Sequence, residues 1–213
     1  MDKHIKSITD KKLNRTMEQL RKNRMQVFYV ETKGQVAPLI ESLMSVNETV
    51  ACGGSMTLFE ACVIDFLRNG SYNFLDRYKE NLTTEQLDAI HHQAFSADTY
   101  ITGTNAITEE GELYNVDGRG NRVAAMIYGP KSVIVVAGIN KIVKDMGEAV
   151  ERLRRTAAPA NATRLQRKTP CVEAGVCQDC RSKERICCSY TIFRQQIIQD
   201  RIKVILVGEE MGY

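Results

Sequence analysis

The fold is decided by residues 48–60, which read ETVACGGSMTLFE. The first five residues form an extended, largely apolar run, and the last five begin an apolar helical pattern. Between them stands the turn Gly53-Gly54-Ser55, which leaves backbone amides bare at the start of a helix. Such amides and the helix dipole favour a phosphate or a carboxylate. This stretch therefore predicts an anion-binding α/β protein.

The remainder of the chain alternates between strand-like and helix-like segments. Further strands are predicted near residues 72–75, 99–102, 132–137 and 202–207. Helices are predicted at 8–28, after the glycine turn, from the capping box at Thr83, at 122–128 and at 142–153. This alternation predicts a three-layer α/β fold with a mostly parallel sheet, whose sites lie at the C-terminal ends of the strands.

The length of the chain indicates one domain. We predict that residues 1–213 form a single unit, with a helical N-terminal segment at about 1–45 and a cysteine-rich insertion at about 158–190. A net charge of +3 is too small to indicate a nucleic-acid partner. No apolar run is long enough to span a membrane, and the N-terminus lacks the apolar region of a signal peptide. We therefore expect a cytoplasmic protein without a membrane partner.

Three groups of polar residues follow the predicted strands. The first group, residues 53–57, presents amides and hydroxyls. The second, residues 103–105, ends a neighbouring strand at the same sheet edge, and the third, residues 115–122, leads into a short helix. Together they form the predicted ligand-binding set: Gly53, Gly54, Ser55, Thr57, Gly103, Thr104, Asn105, Asn115, Asp117, Gly118, Asn121 and Arg122.

Each of these groups also has a purely structural interpretation. The paired glycines suit a tight turn, and Ser55 suits a helix cap. Arg122 suits a two-pronged contact with a carboxylate or phosphate, but also a surface ion pair with a residue such as Glu112. Glu60 invites comparison with a nucleophilic glutamate, although an exposed helical residue is the commoner explanation. Catalysis is thus left open.

Five of the seven cysteines fall between Cys171 and Cys188. The predicted metal ligands are Cys171, Cys177, Cys180 and Cys187. A C-x-x-C step lets two sulfurs converge on one ion, and both zinc and an iron–sulfur cluster fit four thiolates. Free thiols, or disulfides formed on oxidation, are the alternative. The role of Cys188 is open.

Three segments in this order resemble the lactate-utilisation (LUD) domain family. They are residues 53–57, residues 101–106 with 109–114, and residues 118–126 ahead of 133–138. The resemblance covers roughly residues 10–208. It implies a fold similar to the sugar-phosphate isomerase and CoA-transferase superfamily, with formyltetrahydrofolate cyclo-ligase as a relative. It also implies an association with oxidation of L-lactate alongside iron–sulfur partner proteins.

Three hypotheses about function follow. The first is a LUD-type protein of lactate or related organic-acid utilisation, which binds a small anionic metabolite or a nucleotide at the glycine turn, Asn105 and Arg122. The second is an ATP-dependent ligase similar to the cyclo-ligase, with a phosphate cradle supplied by the basic N-terminal helix. The third is a non-catalytic subunit whose cysteine segment docks onto an iron–sulfur oxidoreductase. A homo-oligomer is left open.

Overall fold

The main sheet is built from parallel strands whose order differs from their order in the chain. The computed structural model describes residues 2–213. Its strands are β1 (Gln26–Val30), β2 (Thr49–Cys52), β3 (Asn73–Leu75), β4 (Thr99–Gly103), β5 (Ala106–Thr108), β6 (Leu113–Asp117), β7 (Ser132–Gly138), β8 (Ile142–Val143), β9 (Ser189–Phe193) and β10 (Ile202–Val207). Within the described residues, the six-stranded parallel sheet has the order β1-β10-β7-β4-β2-β3.

Helices cover both faces of this sheet. They are α1 (Lys3–Lys22), α2 (Val36–Ser42), α3 (Met56–Glu60), α4 (Val63–Asn69), α5 (Thr84–Gln93), α6 (Asn121–Tyr128), α7 (Met146–Arg152), α8 (Ala158–Arg164) and α9 (Pro170–Ala174). A π-helical turn, Leu153–Ala157, joins α7 to α8. No helix within residues 2–213 combines the length and the apolar character needed to cross a membrane.

Strand β7 illustrates how the layers form. Val133 and Val135 pack into the core shared with α1 and α6, whereas Ile134 and Val136 pack into the core shared with α2, α3 and α4. Because successive side chains of a strand point to opposite faces, a continuous apolar run fits a sheet that is covered on both sides. The predicted three-layer, mostly parallel fold is confirmed.

The N-terminal region contains a strand that the sequence pattern does not reveal. Helix α1 ends at Lys22, Arg24 adopts a left-handed φ of 63°, and β1 then pairs with β10. The prediction of a helix over 8–28 is therefore wrong at its C-terminal end, and the segment at about 1–45 is not wholly helical. Pairing with a distant strand overrides the local helical periodicity.

A second sheet joins the cysteine-rich segment to the rest of the protein. Its strand order is β8-β5-β6-β9, and β9 pairs antiparallel with β6, so that Ser189 lies opposite Asp117. The segment predicted at about 158–190 contains α8 and α9 and the first residues of β9. It is anchored beside the polar residues that follow β6.

Candidate functional site

A cleft of about 420 Å³ opens where β2 and β4 end. Most of the predicted ligand-binding residues line it; these are Gly54, Ser55, Gly103, Thr104, Asn105, Asp117, Gly118, Asn121 and Arg122. The other three, Gly53, Thr57 and Asn115, are not among its lining residues but are buried beside it. The structure thus brings together three groups that are far apart in the chain.

Two glycines allow the strand ends to approach each other. A Cβ on Gly103 would lie 2.5 Å from Ser55 Oγ, and a Cβ on Gly53 would lie 2.5 Å from Thr102 Oγ1. Both distances are too short for real contacts, so only glycine fits without movement. By contrast, a Cβ on Gly54 would find its nearest neighbour at 3.8 Å. Of the two adjacent glycines, Gly53 is therefore required for close packing and Gly54 is not.

The helix after the glycine turn is shorter than predicted. Helix α3 has five residues, and Cys62, with a left-handed φ of 54°, separates it from α4. Ser55 makes no side-chain hydrogen bond to cap it. Because a macrodipole sums over aligned peptide units, so short a helix contributes little to anion binding. Charged side chains must supply most of any attraction.

Arg122 is the centre of a buried polar network. Its Nε donates to Asp117 Oδ1 at 2.8 Å, and its two terminal nitrogens donate to the carbonyl oxygens of Gly103 and Val116 and to the side-chain oxygens of Asn105 and Asn115. Arg122 is 9% exposed and Asp117 is 8% exposed. The five N–H groups of the guanidinium are thereby occupied inside the protein.

This network makes Arg122 a positioning residue. It ties the end of β4 to the end of β6, and Asp117 Oδ2 in turn accepts from the backbone N–H of Val123 at 3.0 Å. A two-pronged contact with a ligand would require some of these bonds to break. The alternative partner Glu112 instead forms an ion pair with Arg194 at 3.3 Å.

The cleft has cations that the sequence analysis does not include. Besides Arg122, its lining contains Arg77, Arg119, Lys141, Arg164 and Arg167. Arg119 pairs with Asp88 at 2.8 Å. For the other four, no carboxylate lies within 4.0 Å among residues 2–213. Asp117, the one acidic side chain among the lining residues, is already paired with Arg122. The cleft therefore carries an excess of positive charge.

Three buried polar atoms of cleft residues lack a hydrogen-bond partner in the described part of the chain. They are Arg77 Nε, His91 Nε2 and the Tyr213 hydroxyl. Burial, together with the charges of Arg77 and Arg119, lowers the pKa of His91. Buried polar atoms are normally satisfied, so their position beside a cleft favours a polar ligand.

Lys141 follows β7 and is 2% exposed. Its Nζ donates to Thr57 Oγ1 at 2.9 Å, which links the end of β7 to the start of α3. Burial, together with the charges of Arg152 and Arg122, lowers its pKa to about 7. Sites lie at the C-terminal ends of parallel strands, and Lys141 comes three residues after β7 ends at Gly138, so this rule could have identified it.

Lys141 is expected to make the folded state more stable as the pH rises above neutrality. Its folded pKa is about 7, whereas an unfolded lysine holds its proton to about 10.5. Between these values the unfolded chain binds more protons, so the free energy of unfolding rises with pH. Lys141→Met lacks this contribution. Urea unfolding of both proteins at about pH 7 and about pH 9 measures it, and equal rises would contradict the assignment.

Glu60 and the basic residues of α1 lie outside the cleft lining. The exposed Glu60 accepts the backbone N–H of Gly212 at 2.9 Å, which gives it a structural partner. On α1, Lys12 donates to the carbonyl oxygen of Ile142 and Arg15 pairs with Glu109 at 2.7 Å. The phosphate cradle proposed for a ligase would therefore have to use the cleft cations instead.

The cysteine cluster is held by hydrogen bonds. The guanidinium of Arg185 donates to the carbonyl oxygens of Cys180 and Cys187. Burial raises the pKa of the Cys187 thiol, and the positive charge of Arg185 opposes that rise. Four thiols suit zinc or an iron–sulfur cluster chemically, but no three His, Cys, Asp or Glu side chains in residues 2–213 are gathered around one point. The metal site stays a prediction.

The fold and the cleft together define an α/β protein with a cationic site at the carboxyl ends of its strands. The family profile described as the LUD domain matches residues 13–207. The chain therefore belongs to the LUD domain family and is a lactate-utilisation-type protein. The resemblance carried by the glycine turn and the later segments is confirmed.

Solved structures are similar to this chain at low sequence identity. A DUF162 family protein from Deinococcus radiodurans has a TM-score of 0.54 and 16% identity, covering 93% of this chain and 98% of that one. The eIF2B beta subunit from Chaetomium thermophilum has a TM-score of 0.38 and 16% identity over 55% of this chain and 44% of its own. Ribose 5-phosphate isomerase A from Neisseria gonorrhoeae has a TM-score of 0.33 and 13% identity over 54% of each chain. No curated protein matches the chain.

Proposed function

We propose that the cleft binds a small anionic metabolite and that the protein acts in the utilisation of lactate or a related organic acid. The observation that carries this proposal is the set of guanidinium groups without carboxylate partners, those of Arg77, Arg164 and Arg167, around a cleft whose one acidic side chain, Asp117, is already paired. Like charges brought together repel one another, and a bound anion relieves that repulsion. Membership of the LUD family supports an organic acid as the ligand.

A thermal-shift screen over lactate, pyruvate, nucleotides and coenzyme A tests the proposal. A ligand specific for the native state stabilises the protein by about 2.7 kcal/mol at about a hundred times its dissociation constant. The stabilisation should weaken as salt is added, because exposed charges are screened. If none of these anions raises the melting temperature at low salt, the cleft is not their site.

Single cation variants are expected to weaken anion binding. Arg77→Met and Arg164→Ala each remove a cation whose loss strands no carboxylate. A hydrogen bond to a charged group contributes about 1.5–3 kcal/mol, so each variant should lose about tenfold or more in affinity. The matched control is Lys144→Ala, because Lys144 is 82% exposed and outside the cleft lining. Titration calorimetry measures all three, and equal affinities would contradict the location.

A nucleotide-dependent ligase is the second candidate function. The same cations favour it, since phosphates need several positive charges and backbone amides. It predicts that ATP stabilises the protein more than any monocarboxylate does. If lactate or pyruvate stabilises the protein and ATP does not, the organic-acid function is retained and the ligase is rejected.

The cysteine segment supports a separate proposal, that Cys171, Cys177, Cys180 and Cys187 bind zinc or an iron–sulfur cluster, and that this segment docks onto an iron–sulfur oxidoreductase. Metal analysis with a visible spectrum on anaerobically purified protein tests it. Colourless protein with stoichiometric zinc indicates a structural site, and charge-transfer bands indicate iron–sulfur. Metal-free protein with titratable thiols leaves the cysteines as free thiols.

A further inference from the structure

Within the described chain, Lys141 is the one basic residue of the cleft that is deeply buried without a countercharge. It is 2% exposed, and no carboxylate lies within 4.0 Å of its Nζ among residues 2–213. Its Nζ donates to the hydroxyl of Thr57 at 2.9 Å. A buried lysine that serves only for stability is normally paired with an acid. Lys141 departs from that rule at the wall of a cleft.

The groups around Lys141 keep its amine poorly charged. Arg152, which donates to the carbonyl oxygens of Asn140 and Asn105, and Arg122 both disfavour a third positive charge. The negative charge of Glu60 raises the pKa of Lys141, but Glu60 is exposed and also accepts the backbone N–H of Gly212. With a pKa of about 7, a large share of the amine is uncharged at neutral pH. An uncharged amine is a nucleophile, and a protonated one is not.

We propose that Lys141 Nζ is a nucleophile that condenses with the carbonyl carbon of a 2-oxo acid bound in the cleft, forming an imine. This inference rests on the proposed anion-binding function and names the substrate class. In the first step the nitrogen lone pair forms a C–N bond and the carbonyl π electrons move to oxygen, giving a carbinolamine after proton transfer. Loss of that oxygen as water then gives the C=N bond. No oxidant or other co-reactant is consumed.

A 2-oxo acid fits because it places a carboxylate directly beside the electrophilic carbonyl. The carboxylate suits the cleft cations, whereas the carbonyl needs the nearby amine. Thr57 Oγ1, already 2.9 Å from Nζ, is positioned to exchange a proton with the carbinolamine oxygen. A ketone carrying a phosphate shares this chemistry, and the experiment separates the two.

Reductive trapping tests the inference on the full-length protein. Borohydride reduces an imine to a stable amine, so pyruvate should raise the intact mass by that of one pyruvate less one oxygen atom. Peptide mapping should locate the adduct at Lys141. Lys141→Arg keeps a basic side chain but removes the primary amine, so it should abolish that adduct, and Lys144→Ala should retain it. Acetone at the same concentration should give much less adduct, because it lacks the anionic group.

The outcomes are distinct. A pyruvate adduct at Lys141 that exceeds those at exposed lysines supports the inference. Equal labelling of Lys141 and Lys144, or no adduct at Lys141, overturns it. An adduct with dihydroxyacetone phosphate and none with pyruvate overturns the assignment to 2-oxo acids. If anions stabilise the protein in the thermal-shift screen but no adduct forms, the imine fails and the proposed function stands. If no anion stabilises the protein, the proposed function fails as well.

Discussion

Arg122→Ala is expected to lower the free energy of unfolding by about 3–5 kcal/mol, because it leaves the buried carboxylate of Asp117 without its cation. It also leaves Asn115 Oδ1 without its donor, whereas Asn105 Oδ1 still accepts from the backbone N–H of Val116 and Gly103 O from Thr102 Oγ1. A buried acceptor that loses its hydrogen-bond donor lowers the free energy of unfolding further. Because the guanidinium ties β4 to β6 at the cleft, anion binding should weaken in the same variant. Urea unfolding and titration calorimetry measure the two effects.

Arg155→Ala is the matched control for Arg122→Ala. Arg155 forms an exposed ion pair with Glu151 one helical turn away, so its loss should change stability by no more than about 1 kcal/mol. Similar values for the two variants would show that the Arg122 network is not a stabilising centre. A large loss of stability in Arg122→Ala with unchanged anion affinity in the surviving folded fraction would separate the network from the binding site.

Gly53→Ala should destabilise the protein, whereas Gly54→Ala should be tolerated. The added methyl at position 53 would lie 2.5 Å from Thr102 Oγ1 and 3.0 Å from Arg122 Cδ. Both neighbours are buried, so the strand ends must move apart, and overpacking of this kind costs about 1–3 kcal/mol. At position 54 the nearest atom is 3.8 Å away, and it belongs to the Arg77 side chain. Adjacent glycines thus give a matched pair of variants.

The same pair distinguishes a tight turn from a close approach of strands. If the glycines only relieve a turn, Gly53→Ala and Gly54→Ala should behave alike, because neither residue has a positive φ. We expect Gly53→Ala to lower the urea midpoint and the anion affinity together, since the displaced Arg122 helps to shape the cleft. Equal midpoints for the two variants would contradict the packing described for β2 and β4.

Local patterns in the sequence are enough for most of the core elements. The continuous apolar runs of β7 and β10 predict buried parallel strands, and the capping box at Thr83 and Gln86 is present in α5. These signals are local because side-chain periodicity and capping involve neighbours in the chain. Strand β1 is different, since a five-residue edge strand beside a long helix depends on its pairing with β10.

The candidate site divides in the same way. The sequence alone determines that polar residues stand at the ends of β2 and β4 and ahead of α6, and so predicts the sheet edge at which the cleft opens. Only the tertiary structure decides that the guanidinium of Arg122 is occupied by Asp117 and the ends of β4 and β6, while Arg77, Arg164 and Arg167 carry the free positive charge. The reason is physical. Residue type determines whether a side chain can be charged. Its pKa and its ability to attract a ligand depend on burial and on the distance to a countercharge, and residues far apart in the chain set both.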